Sequence, residues 1–261
     1  MLTLFTLDLR GAAAVLAIAG LSLAGAIPTH AQGTGAIVPL PQKLAAASQQ
    51  YLPGVVGAPV PAFTIGSDMA RLTAGTRTYK VVSGGGVGQT EQHVIAPLPR
   101  DTSGTRWRYT IGPRTVFLSE ATGESLSIVT EEDSDQGVLT RYTPPEPLLI
   151  AGMNAGDSRK MTINVKVYDL DDPDSLEHKG KVDLTFSYVG AYKVTVPAGT
   201  FDAALLVWQY KGKVGPANIE DIQVRLVSQD AGMVAMAGKR DIAAMLIYND
   251  HSKVGKVLES K

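Results

Sequence analysis

The sequence predicts an all-β fold: a single antiparallel sheet domain, curled into a barrel-like or clam-like shape, with an irregular N-terminal strap. Three observations predict it. From Gly75 onward, short segments of alternating apolar and polar residues follow one another with turn residues between them, as in hairpin-linked strands that bury one face. Residues 204–210 (ALLVWQY) are apolar on both faces, as expected of a strand that lies centrally or is covered on each side. Cysteine is absent, so no disulfide or Cys-based zinc site can staple the chain, and stability must come from a packed core.

Taken in order, residues 1–31 read as an export signal. Arg10 precedes the apolar run GAAAVLAIAGLSLAGAI (11–27), and PTHA (28–31) places small residues at Thr29 and Ala31, the pattern a signal peptidase requires. The run is shorter and richer in Gly and Ala than the roughly 20 strongly apolar residues of a stable span. Cleavage would leave 261 − 31 = 230 residues beginning at Gln32. The expected address is the periplasm, with the external medium as the alternative, and no membrane span is expected once the signal is cut.

Residues 32–64 form a Pro-, Gly- and Ala-rich linker or strap, in which PLPQ (39–42) and APVPAF (58–63) interrupt any long regular element. Behind Pro41, QKLAAASQQYL (42–52) has the composition of a short helix. Residues 65–261 form the antiparallel β domain. Its first strands are read at 76–83, 90–96, 107–111, 115–119 and 124–130, with GGGVG (84–88), Gly112-Pro113 and Ala121-Thr122-Gly123 as turns. The clearest strand is MTINVKVYD (161–169), where Met161, Ile163, Val165 and Val167 face one way and Thr162, Asn164, Lys166 and Tyr168 the other. A one-residue slip would bury the polar set, so the register is strongly specified. Val182, Leu184, Phe186 and Tyr188 repeat this alternation, as do Ile222, Val224 and Leu226, and all three segments are expected to have one wet face. In 204–210, Leu206, Trp208 and Tyr210 should share one face and Leu205 and Val207 the other. VTVPAGTF (194–201) reads as a hairpin with PAGT as a four-residue connection, Pro197 presetting φ and Gly199 accepting a positive one.

Candidate chemistry is sparse. His93, His178 and His251 are far apart and unaccompanied by HExxH, GxSxG or Ser-x-x-Lys patterns, so they read as surface residues. GGGVG lies between strands rather than before a helix, and it lacks the phosphate-binding context. The acidic stretches EEDSD (131–135) and DLDDPD (169–174) could offer oxygens to calcium, but the EF-hand Gly and terminal Glu are missing and Pro173 marks a plain turn. Both are expected to be solvated loops. No catalytic, cofactor-binding or metal-ligating residue is assigned, and no cofactor is expected. With 24 Lys and Arg against 25 Asp and Glu, interspersed along the chain, nothing steers it toward nucleic acid. Aromatic residues are only 6% of the chain, so no sugar-stacking cleft is indicated.

The string VTVPAGTFDA (194–203), preceded by YTPPEPLLIAGMNAGDSRKMT (142–162) and followed by DAGMVAM (230–236), resembles a group of bacterial exported proteins known as a domain of unknown function, the TapB-like group. In that group a Pro-Pro-x-Pro-Leu-Leu stretch leads through a Gly-Asp turn into a strand, and the VPAGTF hairpin follows. GTRTYK (75–80) is similar to its opening strand, with Thr78 where an aromatic residue is usual, and the loop at 169–181 is longer. The resemblance spans roughly 70–250 and implies an all-β envelope domain without a catalytic residue to carry across.

Three functions follow as expectations. The first is a noncatalytic periplasmic module whose sheet holds an apolar small molecule or an envelope protein partner. The second is a structural or assembly protein acting through an exposed sheet edge or the strap, and the third is a hydrolase with a dispersed site.

Overall fold

The computed structural model describes residues 34–69, 72–99, 105–121, 125–244 and 248–261. The export-signal reading of 1–31 lies outside them. After a short helix, α1 (Gln42–Tyr51), and an outlying strand, β1 (Val56–Val60), the chain forms a continuous meander: β2 (Gly75–Gly84), β3 (Thr90–Pro97), β4 (Thr105–Ile111), β5 (Arg114–Ala121), β6 (Ser125–Asp133), β7 (Val138–Ile150), β8 (Ser158–Asp169), β9 (Leu176–Val196), β10 (Gly199–Val214), β11 (Ala217–Ser228), β12 (Gly232–Ala244) and β13 (Tyr248–Ser260). Each strand pairs antiparallel with the next, and β13 pairs back onto β2, so β2–β13 close as a twelve-strand up-and-down barrel. Closure places a ladder on both sides of every ring strand, which removes the edges a row of short strands would otherwise expose.

The long strand β9 serves two neighbours along one side. Residues from Leu176 to Ser187 pair with β8, and beyond them Ala191, Tyr192 and Val194 pair with β1. The strap therefore contributes a strand to the sheet, which its Pro and Gly content did not predict; Pro59 is tolerated because β1 is an outer strand with one unpaired side.

Two apolar clusters lie on opposite faces of the β10–β11 wall. Inside the barrel, Ala204, Leu206 and Trp208 pack with Phe186, Leu184, Ile163 and Val165. Outside it, Leu44, Tyr51 and Leu52 of the strap cover Leu205, Val207, Val224 and Leu226. This double coverage is why residues 204–210 carry no polar face. The predicted alternation of 161–168 is observed, with Ile163, Val165 and Val167 buried and Thr162, Asn164 and Lys166 exposed. The hairpin at 194–201 is tighter than expected: the ladder runs on to Val196 and Gly199, leaving Pro197-Ala198 as a two-residue connection. Gly199 has φ +137°, a conformation that L side chains rarely adopt.

One prediction is inverted. The apolar residues of β11, Ile222, Val224 and Leu226, were expected to face the core with a wet face opposite. They face outward under the strap instead, and Asp221, Gln223 and Arg225 turn into the barrel. A helix lying outside a barrel reverses the usual reading, because the outer face is then also a dry one.

The strap also closes one end of the barrel. Ile65 exchanges backbone hydrogen bonds with the β7–β8 turn, its amide donating to Met153 O and its carbonyl accepting from Gly152. The Tyr188 hydroxyl donates to Phe63 O at 2.9 Å, and the Leu72 amide donates to Glu120 Oε1 at 3.0 Å near the end of β5. Met69 and Leu72 thereby reach the lumen.

Candidate functional site

The barrel is filled on one side and hollow on the other. A cavity of about 400 Å³ lies inside it, within the range of roughly 300–1,000 Å³ typical of small-molecule sites. Its wall is mainly Leu, Ile, Val and Met, including Ile95, Leu118, Leu126, Ile128, Met233 and Met236. Set into that wall are three polar groupings, each positioned by strand register.

The first lies on β3, β4 and β13. His93 is fully buried, which corrects its reading as a surface histidine: the one-residue alternation of β3 turns it inward with Glu91 and Ile95. Its Nδ1 lies 2.6 Å from the Tyr109 hydroxyl and its Nε2 lies 3.4 Å from Glu91 Oε2. An ionised carboxylate only accepts, so Nε2–H donates to Glu91 and Nδ1 accepts from Tyr109, the pattern of a neutral imidazole. Burial lowers the His93 pKa and keeps that form. The Tyr79 ring packs on the imidazole with centroids 4.3 Å apart, and the Tyr79 hydroxyl donates to Met233 O at 2.8 Å. Lys256 Nζ donates to Glu91 Oε2 at 2.6 Å. The bonds from His93 and Lys256 hold the Glu91 carboxyl down at about 2 despite partial burial.

The second grouping is the pair Arg114–Glu131, in which the guanidinium forks onto Glu131 Oε1 through Nε, at 2.7 Å, and Nη2. The Tyr142 hydroxyl donates to Glu131 Oε2 at 3.3 Å. Glu131 opens the stretch EEDSD, expected to be a solvated loop, yet it is buried. The correction is one of position: 131–133 still belong to β6, and only 134–137 form the turn.

The third grouping joins the filled and hollow sides. Trp208 Nε1–H donates to Pro147 O at 2.8 Å, and the Tyr210 hydroxyl donates to Glu146 Oε1 at 2.6 Å. Burial raises the Glu146 carboxyl to about 6, against the opposing bond from Tyr210 and the charge of Arg225. Arg225 lies over the Trp208 ring at 4.5 Å and donates to Gln223 Oε1 at 2.6 Å. On β2, Arg77 sits against Gly232, where a Cβ would lie 2.6 Å from its Nη1.

Of the other residues weighed in the sequence, His178 is half-buried beside Gly215 and away from this cavity, and the side chain of His251 lies outside those described. Asp169, Asp171 and Asp172 shape a turn, with the Asp171 amide donating to Asp169 Oδ1 and the Ser175 amide donating to Asp172 O. Among the described residues no three His, Asp or Glu side chains gather as a metal site. The lumen residues Arg77, Glu91, Tyr109, Arg114, Glu146, Gln223 and Arg225 went unassigned from sequence. The available signal was charged residues at every second position of strands, as in Glu91/His93 and Gln223/Arg225, which is indistinguishable from a wet outer face until the barrel closes.

No protein family description matches the chain, so the likeness to the TapB-like group stands as a resemblance. No curated protein matches it either. Similar solved structures include a candidate lipoprotein from Parabacteroides distasonis (14% identity, TM-score 0.37, covering 76% of this chain and 99% of that one). A second is the hypothetical lipoprotein YmcC from Escherichia coli (8%, 0.39, 75% and 89%). A third is a candidate exported protein with a YmcC-like fold from Bacteroides fragilis (12%, 0.41, 76% and 98%). Likenesses this distant carry no argument about ligand or activity.

Proposed function

We propose that this protein is an exported, noncatalytic binding module that holds an apolar small molecule inside its barrel. The observation that carries the reading is the cavity of about 400 Å³ with a largely aliphatic wall; protein interiors otherwise pack with few voids larger than a water molecule. The described residues that line it include no Ser, Thr or Cys, and the one hydroxyl at the buried His93, that of Tyr109, is a phenol that burial holds in its protonated form, so the wall favours binding over acyl-transfer chemistry. Export rests on the segment 1–31, with the periplasm as the proposed address. Closure of β2–β13 leaves the short outlying strand β1 with an unpaired side, and the enclosed lumen rather than that edge is the proposed working surface.

Native mass spectrometry of the purified protein, before and after solvent extraction, tests the reading. A removable small-molecule mass is expected, and the variant Leu118→Trp, which fills the cavity, should purify with less of it. A uniformly ligand-free mass in the wild type, together with no uptake of added laurate or 1-dodecanol, would overturn it.

A further inference from the structure

Four cations line the cavity: Arg77, Arg114, Arg225 and Lys256. Two of them are engaged by carboxylates, Arg114 by Glu131 and Lys256 by Glu91. The third carboxylate on the wall, Glu146, is bonded to the Tyr210 hydroxyl at 2.6 Å, and His93 is neutral. A fourth carboxylate, Asp221, lies behind Gln223, whose Nε2 donates to it at 3.4 Å; among the described residues no carboxylate directly engages the guanidinium of Arg77 or of Arg225.

Those guanidiniums are presented rather than merely present. Arg225 is braced from below by the Trp208 ring and from one side by Gln223, while its Nε has no hydrogen-bond partner. Cross-strand register runs from Arg225 to Met236 to Lys256, placing these residues in one row on the lumen side of β11, β12 and β13. Arg77 stands on β2, and its head reaches Gly232 at the start of β12, a position where any side chain would displace it. The fields of Arg77 and Arg225 act on the same two phenols, Tyr79 and Tyr109, so the two charges converge on one part of the lumen. A cation in a low-dielectric space without a counter-ion is costly, and the cost is relieved by an anion that accepts its free N–H groups.

Building on the lumen-binding reading, we infer that the ligand is an amphiphile with an anionic head group, its alkyl or acyl chain lying along the Leu, Ile and Met wall and its carboxylate or phosphate accepting hydrogen bonds from Arg77 and Arg225. The aliphatic wall takes the chain and the two arginines select the head, so the site discriminates by charge at one end and by apolarity elsewhere.

Isothermal calorimetry on the purified protein, stripped of co-purified ligand, with four twelve-carbon compounds tests this: laurate, dodecyl phosphate, 1-dodecanol and dodecyltrimethylammonium. At least one of the two anions should bind about 10- to 100-fold tighter than the alcohol, with the cation weakest. Arg77→Gln/Arg225→Gln should remove that preference, bringing both anions to the affinity that the same variant shows for 1-dodecanol, and the Lys/Lys version should restore part of it. Equal affinities for the alcohol and both anions in the wild type would overturn the head-group inference alone and needs no variant to fold. Failure of all four compounds to bind would instead overturn the lumen reading on which it rests.

Discussion

Two sides of one barrel, built by the same strand alternation, reach opposite ends. Where β7–β11 face one another, Phe186 meets Trp208 edge to face at 4.8 Å, and Trp208 and Tyr210 reach across to β7. The space left among Tyr142, Glu146, Tyr210 and Asp221 is about 20 Å³, room for about one water. Where β2–β6 face β11–β13, the inward residues are mainly Leu, Ile, Val and Met, interrupted by His93, Tyr109 and charged groups such as Arg77, Arg114 and Arg225, and about 400 Å³ stays open. A twelve-strand barrel is wider than the roughly eight strands whose interior side chains can fill. Large aromatics bridge the excess on one side and nothing does on the other. The difference teaches that an alternating strand specifies which residues point inward, whereas the residues across the lumen decide whether inward means packed.

The largest expected effect breaks the filled side. Trp208→Ala removes a fully buried ring together with its bond to Pro147 and its contact with Arg225, and should lower unfolding free energy by about 3–5 kcal/mol in urea titrations. A loss under about 1 kcal/mol would mean that this side is not the core. The matched pair Leu206→Ala and Leu118→Ala sharpens the comparison, because the residue type is the same and both side chains are buried. The first should cost about 3–4 kcal/mol and the second nearer 2, since Leu118 already has open space on one flank.

Next in size is the ion pair in the hollow wall. Arg114→Ala strands the buried Glu131 with only the Tyr142 hydroxyl for support, so a loss of about 3 kcal/mol at pH 7 is expected. Urea titrations of the variant and the wild type at pH 7 would show it.

A smaller effect separates two carboxyls of opposite tendency. Glu146 has a folded-state pKa raised to about 6, so the fold binds its proton more tightly than the unfolded chain does. Its contribution favours the fold at low pH and is lost as pH rises through about 4.5 to 6. Glu146→Gln, which can still accept from Tyr210, should therefore flatten that slope and gain about 2 kcal/mol at pH 8. Glu91, held down at about 2, works the other way: it contributes stability above about 4.5 that disappears as pH falls toward 2, an effect moderated by its partial exposure. The same stability series on Glu91→Gln should show a reduced loss in acid.

The smallest expected effect is the most direct test of hollowness. Ile128→Phe adds bulk to a wall residue and should change stability by less than about 1 kcal/mol, whereas Ala204→Phe in the filled side should cost about 3 kcal/mol. Equal penalties would erase the distinction between the two sides.

Much of this fold was legible in the sequence. The alternation in 161–168 and 182–188, the doubly apolar 204–210 and the turn residues between strands led to an all-β antiparallel sheet and to the correct faces for those three segments, while that of 222–226 was reversed. The connection at Pro197-Ala198 was placed correctly and only its length overstated, because turn chemistry names the corner but not where the ladder stops. The candidate site was hardly legible at all. His93 and Glu131 looked like surface residues because a polar residue on an alternating strand is, by local pattern, a wet one. Gln223 and Arg225 looked the same, and their true position depends on α1 covering the outer face of β11.

By itself, then, the sequence determined the strand pattern, the hairpin chemistry and the absence of covalent staples, all of which depend on residues within a few positions of one another. Tertiary structure alone decided that β13 pairs with β2, that the strap reverses the dry face of β11, and that Arg77 and Arg225 look into one hollow. These are relations among residues more than a hundred positions apart, set by how the ring closes and what lies across it.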